Sequence, residues 1–331
     1  MTRRHTISLA DVARVAGVST STASRALNGS NKPVSSELRL RIGAVADSLG
    51  YVSDRAAQAL RGRRTAVFML IPDPREPVIA QAAGMEVAAR QRDVLASAVA
   101  VGAGPAAHIK AIQTLSHLHP KALIVNYYEV DSATVLPYLR RFADDGGRVI
   151  TMGQTKEDFS CVLYHDIDSG RLMGDYLSGL GRSSWAIITA RHPALSDRVQ
   201  GVLEAMGNHR MNDPLSVVVT DDLSREQGRL AMRRVWESGL RPEIVYAAND
   251  ILAIGAMEEL RSLGVRIPEE VSVAGNDDIP IARDLTPALT TVRLNFMAAG
   301  RIALEMALSE GEPTTVDLPG ELIIRASTSV S

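Results

Sequence analysis

From Thr65 onward, short β-branched runs alternate with helical patterns, and this alternation constrains the fold of the 331-residue chain more than any other feature. TAVFMLIP, DVLASAVAV, ALIVNYY and RVITMG are short, apolar and bounded by turns. The segments between them, VIAQAAGMEVAARQR, HIKAIQTLSHLH and ATVLPYLRRFAD, place apolar residues at helical spacing. Parallel strands need long crossovers, usually helices, so the pattern is a βαβ series building a parallel sheet. A second series follows, with WAIITA, LSVVVTD, EIVYAAND and VSVAGNDD as strands and DRVQGVLEAMG, REQGRLAMRRVWESG and ILAIGAMEELRSLG as helices. Two such series, in a chain too long for one core, imply an α/β body of two similar, doubly wound lobes.

The first 64 residues have another character. They hold 11 Lys and Arg against 4 Asp and Glu, a balance of +7, while the whole chain carries −2 and the remainder therefore −9. A basic cap on an acidic body is the electrostatic footprint of a polyanion binder. Within it, ISLADVARVAGVSTSTASRALNG, residues 7–29, contains two helical patterns around a glycine. Leu9, Val12, Ala13 and Ala16 share one face, Ser8 is placed as N-cap, and Asp11 suits the positive helix start. Gly17 ends that helix. Ser19 caps a second one running from Thr20 to about Asn28, with Ala23, Ala26 and Leu27 inward. The spacing predicts a helix-turn-helix whose second helix turns Thr20, Ser21, Thr22, Ser24 and Arg25 to solvent. These are hydroxyls short enough to reach base edges or phosphates, with one guanidinium. An αα-hairpin opening any domain has the same two helices; the local charge favours the DNA-binding reading.

Other classes lose support. VAVGAGPAA, residues 99–107, offers Gly-x-Gly after a strand but lacks the third glycine of a dinucleotide site, and Pro105 suits a turn into a helix. His108, His117 and His119 have no Cys or carboxylate to complete a metal site and are expected as solvated side chains. There is no Gly-x-Ser-x-Gly elbow for a hydrolase. Cys161 is the one cysteine, which excludes a disulfide scaffold within the chain, fits a reducing compartment, and is expected as a small buried residue. No run approaches the roughly 18 to 20 apolar residues of a membrane span, and the charged start MTRRHTISLADVARV is unlike a secretion signal, so a cytoplasmic protein is expected.

Further fragments carry a family likeness. VSSELRLRIGAVADSLGYVSD, residues 34–54, reads as a third helix with Ser35 as cap, Leu38, Ile42, Val45 and Leu49 facing the first two, and Gly50 as stop. RAAQALRGRRT follows, and then LIPDP, ALIVNYY, YAANDILAIGAM, VSVAGNDD and LTTVR in order. Together these resemble the lactose-repressor family of bacterial transcription regulators over nearly the whole chain. The resemblance implies an all-α helix-turn-helix head at 1–53, a hinge helix at 54–64, and a two-lobed, periplasmic-binding-protein-like effector and dimerisation domain at 65–331. Crossovers between the lobes are then expected near Tyr164, Leu294 and Leu318.

It also implies a sequence-specific regulator, acting as a repressor, with neither enzyme activity nor cofactor nor metal. The expected partners are a pseudo-palindromic double-stranded operator, a second copy of the chain, and a small effector. By resemblance, Thr20, Ser21 and Arg25 read bases, while Thr6, Ser19, Thr22 and Asn28 fix register on phosphates. The hinge RAAQALRG is too short to hold a helix alone in water. Leu60 matches the family's minor-groove wedge, with Ala57 letting two hinge helices approach; the alternative is that Leu60 packs on the body. No leucine-heptad tail follows GELIIRASTSVS, so a dimer is expected.

Ligands in open α/β sheets lie beyond the carboxyl ends of the strands, where this sequence is polar: Asp73, Arg75, Asn126, Gln154, Asn249 with Asp250, and Asp277 with Asp278. Asp250 and Asp278 are expected as helix caps. Asn249, Asp277 and Arg198 match the family's effector-binding positions, and Leu223 and Phe296, with Tyr127 and Tyr128, would supply apolar or stacking walls. Many relatives carry an acidic residue where Gly153 stands, which puts the role of Gln154 in doubt. An amide, a carboxylate and a guanidinium converging suit a sugar or nucleoside-type molecule. The competing readings are a two-lobed solute-binding protein without DNA function and a doubly wound enzyme. The basic head argues against the first, and the missing catalytic constellation against the second.

Overall fold

The computed structural model describes residues 7–28, 34–49, 51, 66–72, 78–92, 94–102, 104–126, 133–153, 158–207 and 215–329. The chain divides into two compact units, Met1–Arg64 and Thr65–Ser331.

In the first unit, α1 (Leu9–Ala16) begins with a full capping box. The Ser8 hydroxyl accepts from the Asp11 N–H at 3.3 Å, and the Asp11 carboxylate accepts from the Ser8 N–H at 3.0 Å. Gly17 takes the left-handed conformation, φ +67°, and ends the helix. Ser19 accepts from the Thr22 N–H at 3.1 Å and starts α2 (Thr20–Asn28), and Ser35 does the same for α3 (Ser36–Leu49) through the Leu38 N–H at 3.3 Å. The three helices close on Val12, Ala13, Ala16, Ala23, Ala26, Ile42 and Ala46. Alanines let the helix axes approach, which leaves Ile42 as the largest fully buried side chain of this core.

The second unit has two parallel sheets. The first lobe contains β1 (Ala66–Ile71), α4 (Val78–Gln91), β2 (Leu95–Ala100), α5 (Pro105–Ser116), β3 (Ala122–Asn126), α6 (Leu136–Asp144), β4 (Arg148–Met152) and β5 (Ser160–Tyr164). The second contains α7 (Asp166–Ser178), β6 (Trp185–Ala190), α8 (Pro193–Gly207), β7 (Leu215–Thr220), α9 (Arg225–Glu237), β8 (Ile244–Ala247), α10 (Asp250–Ser262) and β9 (Ser272–Ala274). The chain then forms β10 (Thr291–Arg293), α11 (Phe296–Leu308), β11 (Thr315–Leu318) and β12 (Glu321–Ile323). The strand orders are β2-β1-β3-β4-β5-β11 and β7-β6-β8-β9, with β10 and β12 in a separate antiparallel pair. Each sheet therefore reverses its winding once, between β1 and β3 and between β6 and β8, which is where doubly wound folds bind ligands.

Three passages join the lobes. The chain leaves the first sheet after Tyr164, returns after Arg293 so that α11 packs in the first core, and leaves again after Leu318, when β12 pairs with β10. Glycines let the covering helices touch backbone to backbone. Gly300 of α11 lies against the Gln81 carbonyl of α4, and Gly170 of α7 against the Arg198 carbonyl of α8, with no room at either for a Cβ. Both contacts fix the backbone of a residue with a buried polar side chain, Gln81 and Arg198.

Candidate nucleic-acid interface and effector site

On the head, the outer face of α2 is organised by its own side chains. The Ser19 hydroxyl lies 2.9 Å from that of Ser21 and 2.8 Å from that of Thr22. Arg25 folds back along the helix, donating to the Ser21 carbonyl at 3.1 Å and to the Thr22 hydroxyl at 3.2 Å. Ser19, Thr20 and Ser21 are exposed, and Arg25 is half-buried. Every bond in this set links residues two to four apart, so the surface is laid out before any partner arrives. Asn28 is the last residue of α2; Thr6, Ala57 and Leu60 lie outside the described residues.

In the body the centre is a buried ionic cluster. Arg198, on α8 just beyond β6, donates through Nε to Asp166 Oδ1 at 2.8 Å and through Nη1 to the Ala248 carbonyl at 3.0 Å, and Nη1 lies 2.9 Å from Asp277 Oδ1. Side-chain exposure is 6 % for Arg198, 1 % for Asp166 and 5 % for Asp277, so the charges act on one another with little solvent between. Burial raises Asp277 to about 6, with Arg198 pulling it back and Asp166 pushing it further up. Burial works against the charge of Arg198, but Asp277 and Asp166 outweigh it and hold the guanidinium above its ordinary value. Burial, aided by Asp277, lifts Asp250 to about 7. Two carboxylates, Asp166 and Asp277, thus flank one guanidinium. Beside it, burial raises the Tyr246 phenol, whose hydroxyl has no hydrogen-bond partner among the described residues.

The loop carrying Asp277 is strained. Asp277 and Asp278 both have positive φ, +124° and +55°, outside the usual range of side-chain-bearing residues. The strain is held by the Asp277 N–H donating to the Val292 carbonyl at 2.8 Å and by the Asp278 N–H donating to the Thr291 hydroxyl at 3.3 Å. β10, one of the passages between the lobes, thereby positions the Asp277 carboxylate.

Two capping expectations are corrected here. Asn249, not Asp250, caps α10, its Oδ1 accepting from the Leu252 N–H at 2.9 Å. Asp250 instead bridges buried donors, the Ile279 N–H at 2.9 Å and the Thr291 hydroxyl at 2.7 Å. Asp278 caps nothing: it pairs with Arg293 at 2.7 Å and Arg325 at 2.6 Å. The reason is common to both, since donors from distant segments satisfy these carboxylates better than a helix start would.

The first lobe contributes neutral groups. Phe296 meets the Tyr164 ring edge-on at 5.5 Å and 64°, and the Tyr164 hydroxyl accepts from Gln81 Nε2 at 3.0 Å. Burial raises the Tyr164 phenol, which the charges of Asp166, Asp277 and Arg198 all reach. Of the expected site residues, Arg198 and Asp277 pair directly, Asn249 follows the Ala248 carbonyl that Arg198 bonds, and Phe296 packs on Tyr164. Asn126 ends β3, half-buried, and Leu223 packs on the second-lobe core; Asp73, Arg75, Tyr127, Tyr128 and Gln154 lie outside the described residues.

Sequence reading missed Gln81, Tyr164, Asp166 and Tyr246. Asp166 obeys the polar-after-strand rule, but its strand, SCVLY, went unrecognised.

Other side chains have structural roles. His108, expected in solvent, is buried with Nδ1 3.0 Å from the Gly104 carbonyl, because α5 turns it onto the core. Cys161 is buried, and burial raises its thiol. Among the described residues no cluster of His, Cys, Asp and Glu could hold a metal, and no helix is long and apolar enough to cross a membrane.

Comparison with known proteins agrees with this architecture. Residues 8–54 match the family described as bacterial regulatory proteins, lacI family, and residues 175–328 match a periplasmic binding protein-like domain. The transcriptional regulator GalS of Salmonella typhimurium is 30% identical over 94% of this chain and 92% of its own length. The ribose operon repressor of Haemophilus influenzae is 28% identical over 90% of each chain. A crystal structure of the lac repressor dimer bound to operator and the anti-inducer ONPF superposes with a TM-score of 0.85 at 23% identity, covering 98% of this chain and 100% of that one. On these grounds the chain belongs to the lacI family of bacterial regulatory proteins, which are DNA-binding transcription regulators rather than enzymes.

Proposed function

We propose that this protein is a cytoplasmic, homodimeric repressor that binds a pseudo-palindromic double-stranded operator and whose operator affinity is set by a small polar effector. Residues 1–53 serve as the DNA-binding head, 54–64 as the hinge helix, and 65–331 as the effector-binding and dimerisation domain. Thr20, Ser21 and Arg25 read base edges, Thr6, Ser19, Thr22 and Asn28 engage phosphates, and Leu60 wedges a minor-groove step with Ala57 at the hinge contact. In the body Arg198, Asn249 and Asp277 hold the effector, Phe296 walls the site, and Asp73, Arg75, Asn126, Gln154 and Leu223 complete the set.

The observation that carries this reading is the pairing, in one chain, of an outer helix face of hydroxyls and Arg25 with a buried Arg198–Asp166–Asp277 cluster. Buried carboxylates beside a guanidinium suit a ligand rich in hydroxyl groups, and the name of the ribose operon repressor points toward the same class, a sugar. Effector binding releases DNA. It does so by its difference in affinity for two arrangements of the body, typically about 1 to 3 kcal/mol of coupling.

The test is selection of bound duplexes from genomic fragments, followed by gel shift with the full chain and with a chain lacking residues 1–64. Tight, salt-dependent binding to a palindromic site, lost on deletion and relieved by a sugar, is the expected result. Sugar binding with no DNA binding by the full chain would identify a solute-binding protein instead.

A further inference from the structure

Where the chain first passes from one lobe to the other, a histidine stands between carboxylates of both. His165 follows β5 and precedes α7, and its carbonyl accepts from the Ser169 N–H and from the Ser169 hydroxyl, each at 2.9 Å, which fixes it to the second-lobe helix. Its Nε2 lies 2.8 Å from Oδ1 of Asp317 on β11, a strand of the first-lobe sheet. Its Nδ1 lies 3.6 Å from Oδ2 of Asp168 on α7, an ion-pair distance rather than a hydrogen bond. The third passage is packed against the other two at the same place, since a Cβ on Gly320 would fall 2.6 Å from the Ser169 hydroxyl and 2.7 Å from Val292 Cγ1. The residue after His165 turns the other way: Asp166 bonds Arg198 at 2.8 Å. Two consecutive residues of the first passage therefore hold the first-lobe sheet and the buried cluster.

Both carboxylates beside the ring can only accept. A neutral imidazole has one N–H, so it serves Asp317 or Asp168 and turns a lone pair toward the other, whereas an imidazolium has two and serves both. Histidine is the side chain whose charge ordinarily changes between about pH 5 and 8. Behind Asp168, Arg171 of α7 bonds it at 2.6 Å and reaches Glu204 of α8 at 2.8 Å. A second ion pair of the third passage, Glu321 with Arg293 at 3.0 Å, joins β12 to β10, which are paired with each other, and so does not span the lobes.

We infer that His165 and Asp317 form a proton-gated latch across the lobe junction: the imidazolium holds the first-lobe strand and the second-lobe helix in the arrangement described here, and loss of its proton loosens them. By linkage, a proton that strengthens one arrangement makes that arrangement more populated in acid. The latch stands on this geometry alone. Its consequence, that operator affinity follows the latch, rests on the proposed function above.

The experiment is amide hydrogen exchange on the full chain at about pH 6 and about pH 8, normalised to the unfolded chain at each pH. Asp250 and Asp277 change charge near the same window, so the readout is the difference between parent and variants. In the parent, protection of segments 163–169 and 315–322 falls about two- to fivefold more between the two pH values than in His165→Gln or Asp317→Asn, the range that an exposed ion pair supplies. Glu321→Gln, which breaks the pair inside the second lobe, keeps the parent's response, and Tyr246 in β8 behaves alike in all four chains. An equal fall in the parent and both latch variants would overturn the latch. For the operator, the duplex selected as above is titrated at both pH values, and the ratio of parent to His165→Gln affinity changes at least about twofold between them. A constant ratio beside the exchange difference would overturn the coupling to DNA. A parent that binds no duplex, with the exchange difference intact, would overturn the proposed function and leave the latch standing.

Discussion

Carboxylates behave in opposite ways in the head and in the body. Asp11 of the head is half-buried at the surface, and bonds from Ser8, then Arg14, draw its pKa down to about 2. In the second lobe burial raises Asp277 to about 6 and Asp250 to about 7. The difference follows from what each region has to hold. A duplex is met on the outside, so the head needs only an exposed helix face ordered by contacts between near neighbours. A small solute is enclosed, so its groups give up water, and desolvation governs their charge. Those groups also come from far apart in the chain, since Asp166, Arg198 and Asp277 open α7, sit within α8 and follow β9.

The largest expected effect comes from breaking the body's cluster. Arg198→Ala strands Asp166 and Asp277 without their counter-charge and should cost roughly 3 to 5 kcal/mol of body stability. Urea unfolding followed by fluorescence reads this directly, because Trp185 and Trp236, the two tryptophans of the chain, both belong to the second lobe. An unchanged midpoint would mean that solvent reaches the cluster after all.

Next is Ile42→Ala, which empties the one large, fully buried position of an otherwise small-residue core, at about 2 to 5 kcal/mol. Operator binding should be lost while the tryptophan-reported transition stays in place; a joint shift of both would erase the energetic distinction between the regions. Arg25→Ala should cost about 1 to 3 kcal/mol at the operator and far less on random duplex. Equal loss on both would reassign Arg25 to a phosphate.

The smallest effect is in pH. Asp250 and Asp277 have folded pKa values above the ordinary 3.8, so between that value and about 7 the native state holds more protons than the unfolded one. Body stability should therefore be greatest at the acidic end of this window and decline as pH rises through 6 and 7, shifting the fluorescence-detected melt by a few degrees. Asp11 runs the other way, its contribution present above 3.8 and lost as pH falls toward 2. Amide exchange at Val12 follows the head separately. A melt that climbs from pH 5 to 8 would contradict the burial of these carboxylates.

What could be read without coordinates is local. Ser8, Gly17, Ser19 and Ser35 announce the head's helices because caps and stops act over three or four residues. The eight strands read from the sequence lie in apolar runs bounded by turns, and the likeness to the family extends through them. β5, β10, β11 and β12 were not read from it. α7 was hidden by Gly170 and Gly174, poor helix formers kept for close packing on α8, and α11 by apolar residues on most of its circumference.

The site divides along the same line. Asn249 and Asp277 stand at strand ends, where sequence alone marks them as candidates, Arg198 is carried by family likeness, and Phe296 is named there only as an apolar or stacking wall. Which neighbouring carboxylate caps and which bridges was decided by donors from Ile279, Thr291, Arg293 and Arg325, far along the chain. Gln81 is the clearest instance: on paper it is one polar residue in a helix. Only the folded chain, by bringing Gly300 against its backbone and Tyr164 against its amide, leaves its remaining oxygen without a partner among the described residues. Periodicity and capping are properties of neighbours in sequence, whereas desolvation and hydrogen-bond completion belong to neighbours in space.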